Sequence, residues 1–356
     1  MMYLISFQKK NIFSDICLNY FSNSYNTSTD PNDKNLLLNN NVTAGLQKTC
    51  QSLYKDAKNP TTDLSQDFWN VCSCFLPNQY YEEYIKENNF QELSFNSPLN
   101  INGVKVTFFP AGHILGSAQV LLEYQKDKIN FTGDFKITKD DTCENFRPVT
   151  CDTLVTEATF GLPIFQHPDP EVEINKLINS LKNFSNRPHL IGVYALGKAQ
   201  RLIKLLRNKG YDETIFIHGA LEKICDYYIQ SGLNLGNLSK ALIKGEKKDF
   251  NGKIILAPPS ALKSTWSRRF IDPILSHASG WMSVKQRAKQ SLVELPLLIS
   301  DHADWNELTS NINNSLAKNI LVTHGREEAL VHWCKKRGLK ASALSIQGRD
   351  DSGEEI

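Results

Sequence analysis

VKVTFFPAGHILGSAQVLLEYQKDKINFTGD, residues Val104–Asp134, contains three apolar, β-branched and aromatic runs separated by Gly, Lys and Asp. Runs of this kind between such residues predict strands at Val104–Phe109, Gln119–Tyr124 and Lys128–Thr132. Two of the breaks carry groups capable of chemistry, His113 after the first run and Asp134 after the third. Further on, strands alternate with helices. Thr153–Thr156 is a strand, and Asp169-Pro170 is an N-cap followed by proline, opening a helix with Ile174, Leu177, Ile178 and Leu181 on one face. His189–Ala195, Ile215–Ile217, Lys253–Leu256, Leu297–Ser300 and Asn319–Thr323 are further expected strands. Lys198–Asn208, stopped by Gly210, and Ala220–Gln230, before Gly232, are helices, and Asp304 with Glu307 forms a capping box for another. This rhythm predicts an α/β protein with largely buried strands.

The bulk composition narrows the class. The 356 residues suffice for one large domain or two interlocked ones. A net charge of +2 means that polyanion binding would need a local basic patch rather than the field of the whole molecule. Eight cysteines without a C-x-x-C pair argue against a disulfide scaffold and for a reducing, cytoplasmic setting. The N-terminal apolar run is broken by Lys9 and Lys10, so it reads as neither a signal peptide nor a membrane span. Residues 22–45 are rich in Asn, Ser, Thr and Asp and read as loop or disorder.

In α/β proteins the working groups gather at the carboxyl ends of strands. Five such ends here carry metal-capable or acid–base residues: His113, Asp134, Glu157, His302 and His324. Any one of them alone reads as a hydrogen-bonded turn residue or a helix cap. Five in the same local position weaken that reading. His167, His189, His218, His277 and His332 lack the setting, apart from His218 after IFI, and read as structural.

The ordered runs FFPAGHILGSAQV, FTGDF, VTEATFG, YALGKAQR, HGALEK, LAPPSAL, SGWM, ISDHADWNEL and VTHGREEAL resemble the β-CASP branch of the metallo-β-lactamase superfamily. Within it, bacterial ligase-associated DNA exonucleases are the nearest likeness, over roughly residues 98–348. The resemblance implies a metallo-β-lactamase αββα sandwich, its N-terminal part incomplete, with an inserted α/β β-CASP domain. The boundaries it implies are an atypical, partly disordered region at 1–97, a first core part at 98–168, the insert at 169–290, a completing core part at 291–348 and an acidic tail at 349–356. It also implies two zinc ions, with His113, Asp134 and His324 as ligands and Asp134 bridging. Glu157 would orient His302, the proton donor to the leaving oxygen of a phosphodiester. The implied activity is zinc-dependent DNA exonuclease action in repair. DNA would be the partner, with RNA as the alternative substrate, and the partners would include a DNA ligase or helicase but no membrane.

The family's H-x-H-x-D-H motif, which supplies four ligands, has no counterpart, because no histidine precedes His113. Three readings stay open. The N-terminal stretch is a truncated or out-of-frame start, or the chain is a metal-deficient relative that binds nucleic acid without cutting it, or residues such as Asp15, Cys72 or Cys74 substitute as ligands. The expected substrate contacts are Lys198 and Arg201 at a helix start, Arg268, Arg269, Lys285 and Arg287, with Trp266 and Trp281 as stacking platforms.

Overall fold

The computed structural model describes residues 93–101, 103–241, 249–284 and 293–344. The region 1–92, together with Lys285 and Arg287, lies outside the described residues. The three runs of the deciding stretch are adjacent strands: β2 (Val104–Pro110), β3 (Ala118–Tyr124) and β4 (Asp127–Phe131). They pair antiparallel, Val106 facing Leu122 and Leu122 facing Ile129. Alternation along β3 sends Leu121 to one face of the sheet and Leu122 to the other, and each joins a separate apolar cluster. Both faces are therefore covered.

Two sheets make up the described chain. The first has seven strands in the order β1-β2-β3-β4-β5-β12-β13, where β1 is Leu99–Ile101, β5 Thr153–Ala158, β12 Asn319–Gly325 and β13 Lys340–Ala343. Its first four strands run antiparallel, while β4, β5, β12 and β13 are parallel neighbours. The second sheet has six strands, all parallel, in the order β11-β10-β6-β9-β7-β8. Here β6 is His189–Gly192, β7 Ile215–Ile217, β8 Leu238–Lys240, β9 Ile254–Ala257, β10 Ile274–Ala278 and β11 Leu295–Leu297. In β6 and β9 every residue is buried, as expected for strands covered on both sides.

The helices follow from local grammar. Helix α1 (Pro170–Asn183) starts at Asp169, whose side chain accepts from the Glu171 N–H, and it buries Ile174, Leu177 and Leu181. Helix α2 (Lys198–Asn208) and helix α3 (Gly219–Gln230) pack on the same face of the second sheet. A short helix, α4 (Pro259–Leu262), follows β9. Helix α5 (Trp305–Ser315) has the full capping box between Asp304 and Glu307, and α6 (Glu327–Lys336) covers the first sheet. No helix among the described residues is long and apolar enough to cross a membrane.

The expected strand at Leu297–Ser300 is displaced to Leu295–Leu297. The Ile299 N–H turns back to the Leu297 carbonyl, which bends the chain out of the ladder. The strand expected at His189–Ala195 stops at Gly192, and the chain turns through Tyr194–Gly197 into α2.

Candidate active site

The parallel arrangement β4-β5-β12 places three strand ends side by side. Asp134 follows β4, Glu157 is the penultimate residue of β5, and His324 stands near the end of β12. A register shift between Thr323 and Gly325 sets His324 out of the ladder, and its φ of +57° is left-handed. Gly325 follows at φ +129°, where a Cβ would lie 2.2 Å from the Ala158 carbonyl oxygen. Only glycine lets β12 approach β5 this closely.

His113 arrives from the other side. It sits in the connection between β2 and β3, whose Pro110 and Ala118 are partners. The Ser117 hydroxyl folds the connection by accepting from the His113 and Ile114 N–H groups at 3.1 and 3.2 Å. Gly112, at φ +73°, presses the loop against the segment after Asp134, where a Cβ would lie 2.3 Å from the Lys136 carbonyl oxygen. The Lys136 N–H donates to the Ala111 carbonyl at 3.0 Å and ties the two segments together. The sequence FFPAGHILGS thus builds a tight turn around one imidazole.

His302 comes from the segment between β11 and α5. Its donor atom, with those of His113 and Asp134, falls in a group lying within 4.8 Å of one another. The His113 and His302 rings are 4.5 Å apart between centroids, and His113 Nε2 lies 4.0 Å from Asp134 Oδ2. Hydrogen bonding orients both rings. His113 Nδ1 lies 2.9 Å from the Asp301 carbonyl, an acceptor only, so Nδ1 carries a hydrogen and Nε2 faces the site. His302 Nδ1 lies 3.1 Å from Glu157 Oε2 and likewise donates, leaving Nε2 facing outward.

Glu157 is buried and held on three sides. Its carboxylate accepts from the Phe135 N–H at 2.7 Å and the Thr159 hydroxyl at 2.5 Å, besides His302. These three donors replace the water that the buried carboxylate gives up. Burial pushes the His302 pKa down, but the charge and hydrogen bond of Glu157, with Asp134 and Asp301, outweigh it and raise the imidazole to about 9. Burial also opposes ionisation of Asp134. The imidazoles of His302, His113 and His324 prevail and hold its carboxyl below the ordinary range. His324 therefore acts on Asp134 electrostatically although it stands outside the three-atom group.

The donor set suits zinc, which takes imidazole nitrogen and carboxylate oxygen. Three donors converge, the number a catalytic zinc takes from the protein when it keeps one place for water. For the second ion that the resemblance implies, His324 is near enough to act on Asp134, and no second group of three donors forms among the described residues.

Of the expected substrate contacts, the structure turns two inward. Lys198 and Arg201 are not surface groups but lie in the interior at the start of α2. Lys198 Nζ pairs with Asp301 Oδ1 at 3.1 Å and sits 4.4 Å from the centroid of the Tyr194 ring. Arg201 Nη1 pairs with Asp140 Oδ2 at 3.1 Å. Both cations are used in bridging the two sheets, so neither faces solvent as a phosphate contact. Arg268 and Arg269 are exposed, as a surface contact needs. Trp281 is half-buried, 4.8 Å from Phe160 and 5.1 Å from Phe165 between ring centroids. Phe160 in turn lies edge-on to His302 at 6.4 Å, so Trp281 belongs to the aromatic wall of the site. Trp266 packs edge-on to His218 at 4.8 Å and against Phe270 at 5.0 Å.

Asp301, Asp140 and Thr159 are the site-supporting residues that sequence reasoning passed over. Asp301 had a signal, since it stands beside His302 in the same strand-end string SDHAD. Asp140 and Thr159 had none, because their partners are fixed by the tertiary fold.

No protein-family model matches the chain. Individual relatives do. The chain is 27% identical over 256 residues to a probable DNA ligase of Opitutus terrae, an alignment spanning 70% of this chain and 24% of that protein. It is 26% identical over 333 residues to endoribonuclease YSH1 of Candida glabrata, spanning 77% of this chain and 43% of the relative. Over 145 residues it is 36% identical to endoribonuclease ysh1 of Aspergillus fumigatus, covering 39% of this chain and 16% of the relative. The chain thus spans less than half the length of each of these relatives. Taken with the ordered motifs from Phe108 to Leu330, these alignments support the resemblance of the chain to the β-CASP branch of the metallo-β-lactamase superfamily.

Proposed function

We propose that the chain is a zinc-dependent phosphodiester hydrolase acting on nucleic acid. The observation that carries this reading is the convergence of His113, Asp134 and His302 within 4.8 Å. The seven-stranded sheet bearing Asp134, Glu157 and His324 corresponds in this reading to the αββα sandwich, and the six-stranded sheet to the inserted β-CASP domain.

His113 and Asp134 would hold the metal, with His324 as the neighbouring donor. Zinc, when bound at such a site, supplies a Lewis acid and a water made acidic enough to serve as nucleophile near neutral pH. His302 holds a proton at Nε2 up to about pH 9, because Glu157 stabilises the imidazolium at Nδ1. An imidazolium fixed in this way can give its proton to the leaving oxygen of a phosphodiester. Phe160 stands beside His302 and is itself packed against Trp281, which also meets Phe165. The exposed pair Arg268 and Arg269 is the described candidate for backbone phosphate contact.

The substrate is DNA, cut from an end in a repair setting. The motif resemblance and the ligase relative support this reading, and the endoribonuclease relatives make RNA the rival substrate. A second reading of His302 as the third metal ligand is favoured by its place in the three-atom group. One set of measurements tests all of this: zinc content of the purified chain, with cleavage of end-labelled single-stranded DNA and RNA by the wild type and by His302→Ala. Stoichiometric zinc with cutting lost in His302→Ala is the expected result. Zinc retained in that variant assigns His302 as proton donor, and zinc lost with it assigns a ligand. A wild-type chain that binds nucleic acid without cutting it, with or without added zinc, would overturn the enzyme reading in favour of a binding protein.

A further inference from the structure

Helix α2 of the second sheet reaches across to the loops that carry the site. Lys198 and Arg201 stand one turn apart on its first turns, on the same side. Lys198 enters the segment before His302 by pairing with Asp301, and Arg201 enters the segment after Asp134 by pairing with Asp140, each at 3.1 Å. Gly197, the N-cap at φ +78°, lies so close to the His113 loop that a Cβ would come within 2.2 Å of Ile114 Cγ2. The Tyr228 hydroxyl of α3 accepts from the Leu115 N–H of that loop at 3.3 Å.

Asp301 is the joint in this arrangement. Its side chain takes the Lys198 ammonium, while its backbone carbonyl accepts from His113 Nδ1 and its peptide leads directly into His302. Holding the Asp301 carboxylate therefore fixes both imidazoles at once. Stability alone is a poor reason for a lysine with only 5% of its side chain exposed. An ion pair in the interior is often matched or bettered in stability by apolar residues of the same volume, but this pair also holds the two segments together at 3.1 Å.

We infer that Lys198 is a positioning residue, whose buried ion pair with Asp301 sets the orientation of His113 and His302 toward Asp134. The inference rests on the reading above that these three residues form the working site. It gives the second sheet a role in assembling the site, in addition to any role in contacting substrate.

The test uses the full chain and the double variant Lys198→Met, Asp301→Asn, which removes both charges and so leaves neither ion uncompensated. Nitrogen-15 NMR of the imidazoles without metal reads the tautomers. The wild type is expected to show His113 protonated at Nδ1, and the double variant a mixture of tautomers. Titration with cobalt(II) reads the donors directly through its visible absorption. The variant is expected to bind about 10–100-fold more weakly, with an altered spectrum, as for loss of an outer partner of a metal ligand. A folded variant with the wild-type tautomer and wild-type cobalt affinity would overturn the inference. If the wild type itself takes up no cobalt, the metal reading fails, and the tautomer measurement alone still decides the positioning role. If the double variant does not fold, Asp301→Asn carries the same test, because it keeps the size of the side chain while removing the charge that pairs with Lys198. An unchanged His113 tautomer there overturns the inference equally.

Discussion

Glu157 shows how much one buried side chain organises. Its two oxygens take a backbone N–H, a hydroxyl and an imidazole, and the last of these carries the functional consequence. Glu157→Gln keeps the shape but removes the charge. Burial then acts on His302 with less opposition, so its pKa is expected to fall from about 9 by about 1–3 units, readable by NMR titration of the imidazole. A His302 that titrated unchanged in the variant would show that Asp134 and Asp301, not Glu157, supply the stabilising charge. The residues at this scale were largely legible in the sequence. His113, Asp134, Glu157, His302 and His324 all stand at predicted strand ends, and the structure gathers them. Sequence position did not show that His302 Nδ1 is bound to Glu157 while His113 Nδ1 is bound to a carbonyl, since both partners are remote in the chain.

At the scale of the element, α5 depends on its cap. Asp304 accepts from the Glu307 N–H at 2.9 Å and also from the His167 N–H at 2.8 Å, while Glu307 reaches back to the Asp304 N–H at 3.0 Å. Glu307 also takes the buried Lys136 ammonium at 2.6 Å, so the start of this helix is joined to the segment after Asp134. Asp304→Ala removes a cap and leaves the partly buried His167 N–H without its acceptor. The expected destabilisation is about 2 kcal/mol, seen as a lower urea midpoint at unchanged slope. A loss below about 0.5 kcal/mol would mean that water replaces the carboxylate without penalty. The capping box and the apolar face of α1 were readable because both are local patterns at helical spacing. Strand β10, ILSHA, was not, because its Ser276 and His277 give no apolar run. It is a strand because β6 and β11 flank it.

Across the whole molecule, interior histidines make folding sensitive to acid. Burial above all lowers His277 to about 4, helped by the charges of Lys198 and Lys263, and burial likewise lowers His167 to about 4. An unfolded chain protonates these rings near pH 6.5. The unfolded state therefore binds more protons than the folded one between those values, and stability is expected to fall as pH drops from about 6.5 toward 4. Urea unfolding at pH 7 and pH 5 measures the loss, and His277→Asn should shrink the difference between the two. An equal difference in variant and wild type would assign the acid sensitivity to other groups. The residues alone determined the α/β rhythm, the helix caps and the set of strand-end groups able to hold a metal or move a proton, because these depend on periodicity and on neighbours a few positions away. Only the tertiary structure decided which of those groups meet. It put β4, β5 and β12 side by side, set His324 off the ladder by a register shift, and brought His302 to His113 across nearly two hundred residues of chain. It also decided that Lys198 and Arg201 point inward. The sequence shows a cation at a helix start, whereas the fold supplies a carboxylate beneath each, and an ammonium or guanidinium enters the interior when such a partner offsets its lost hydration.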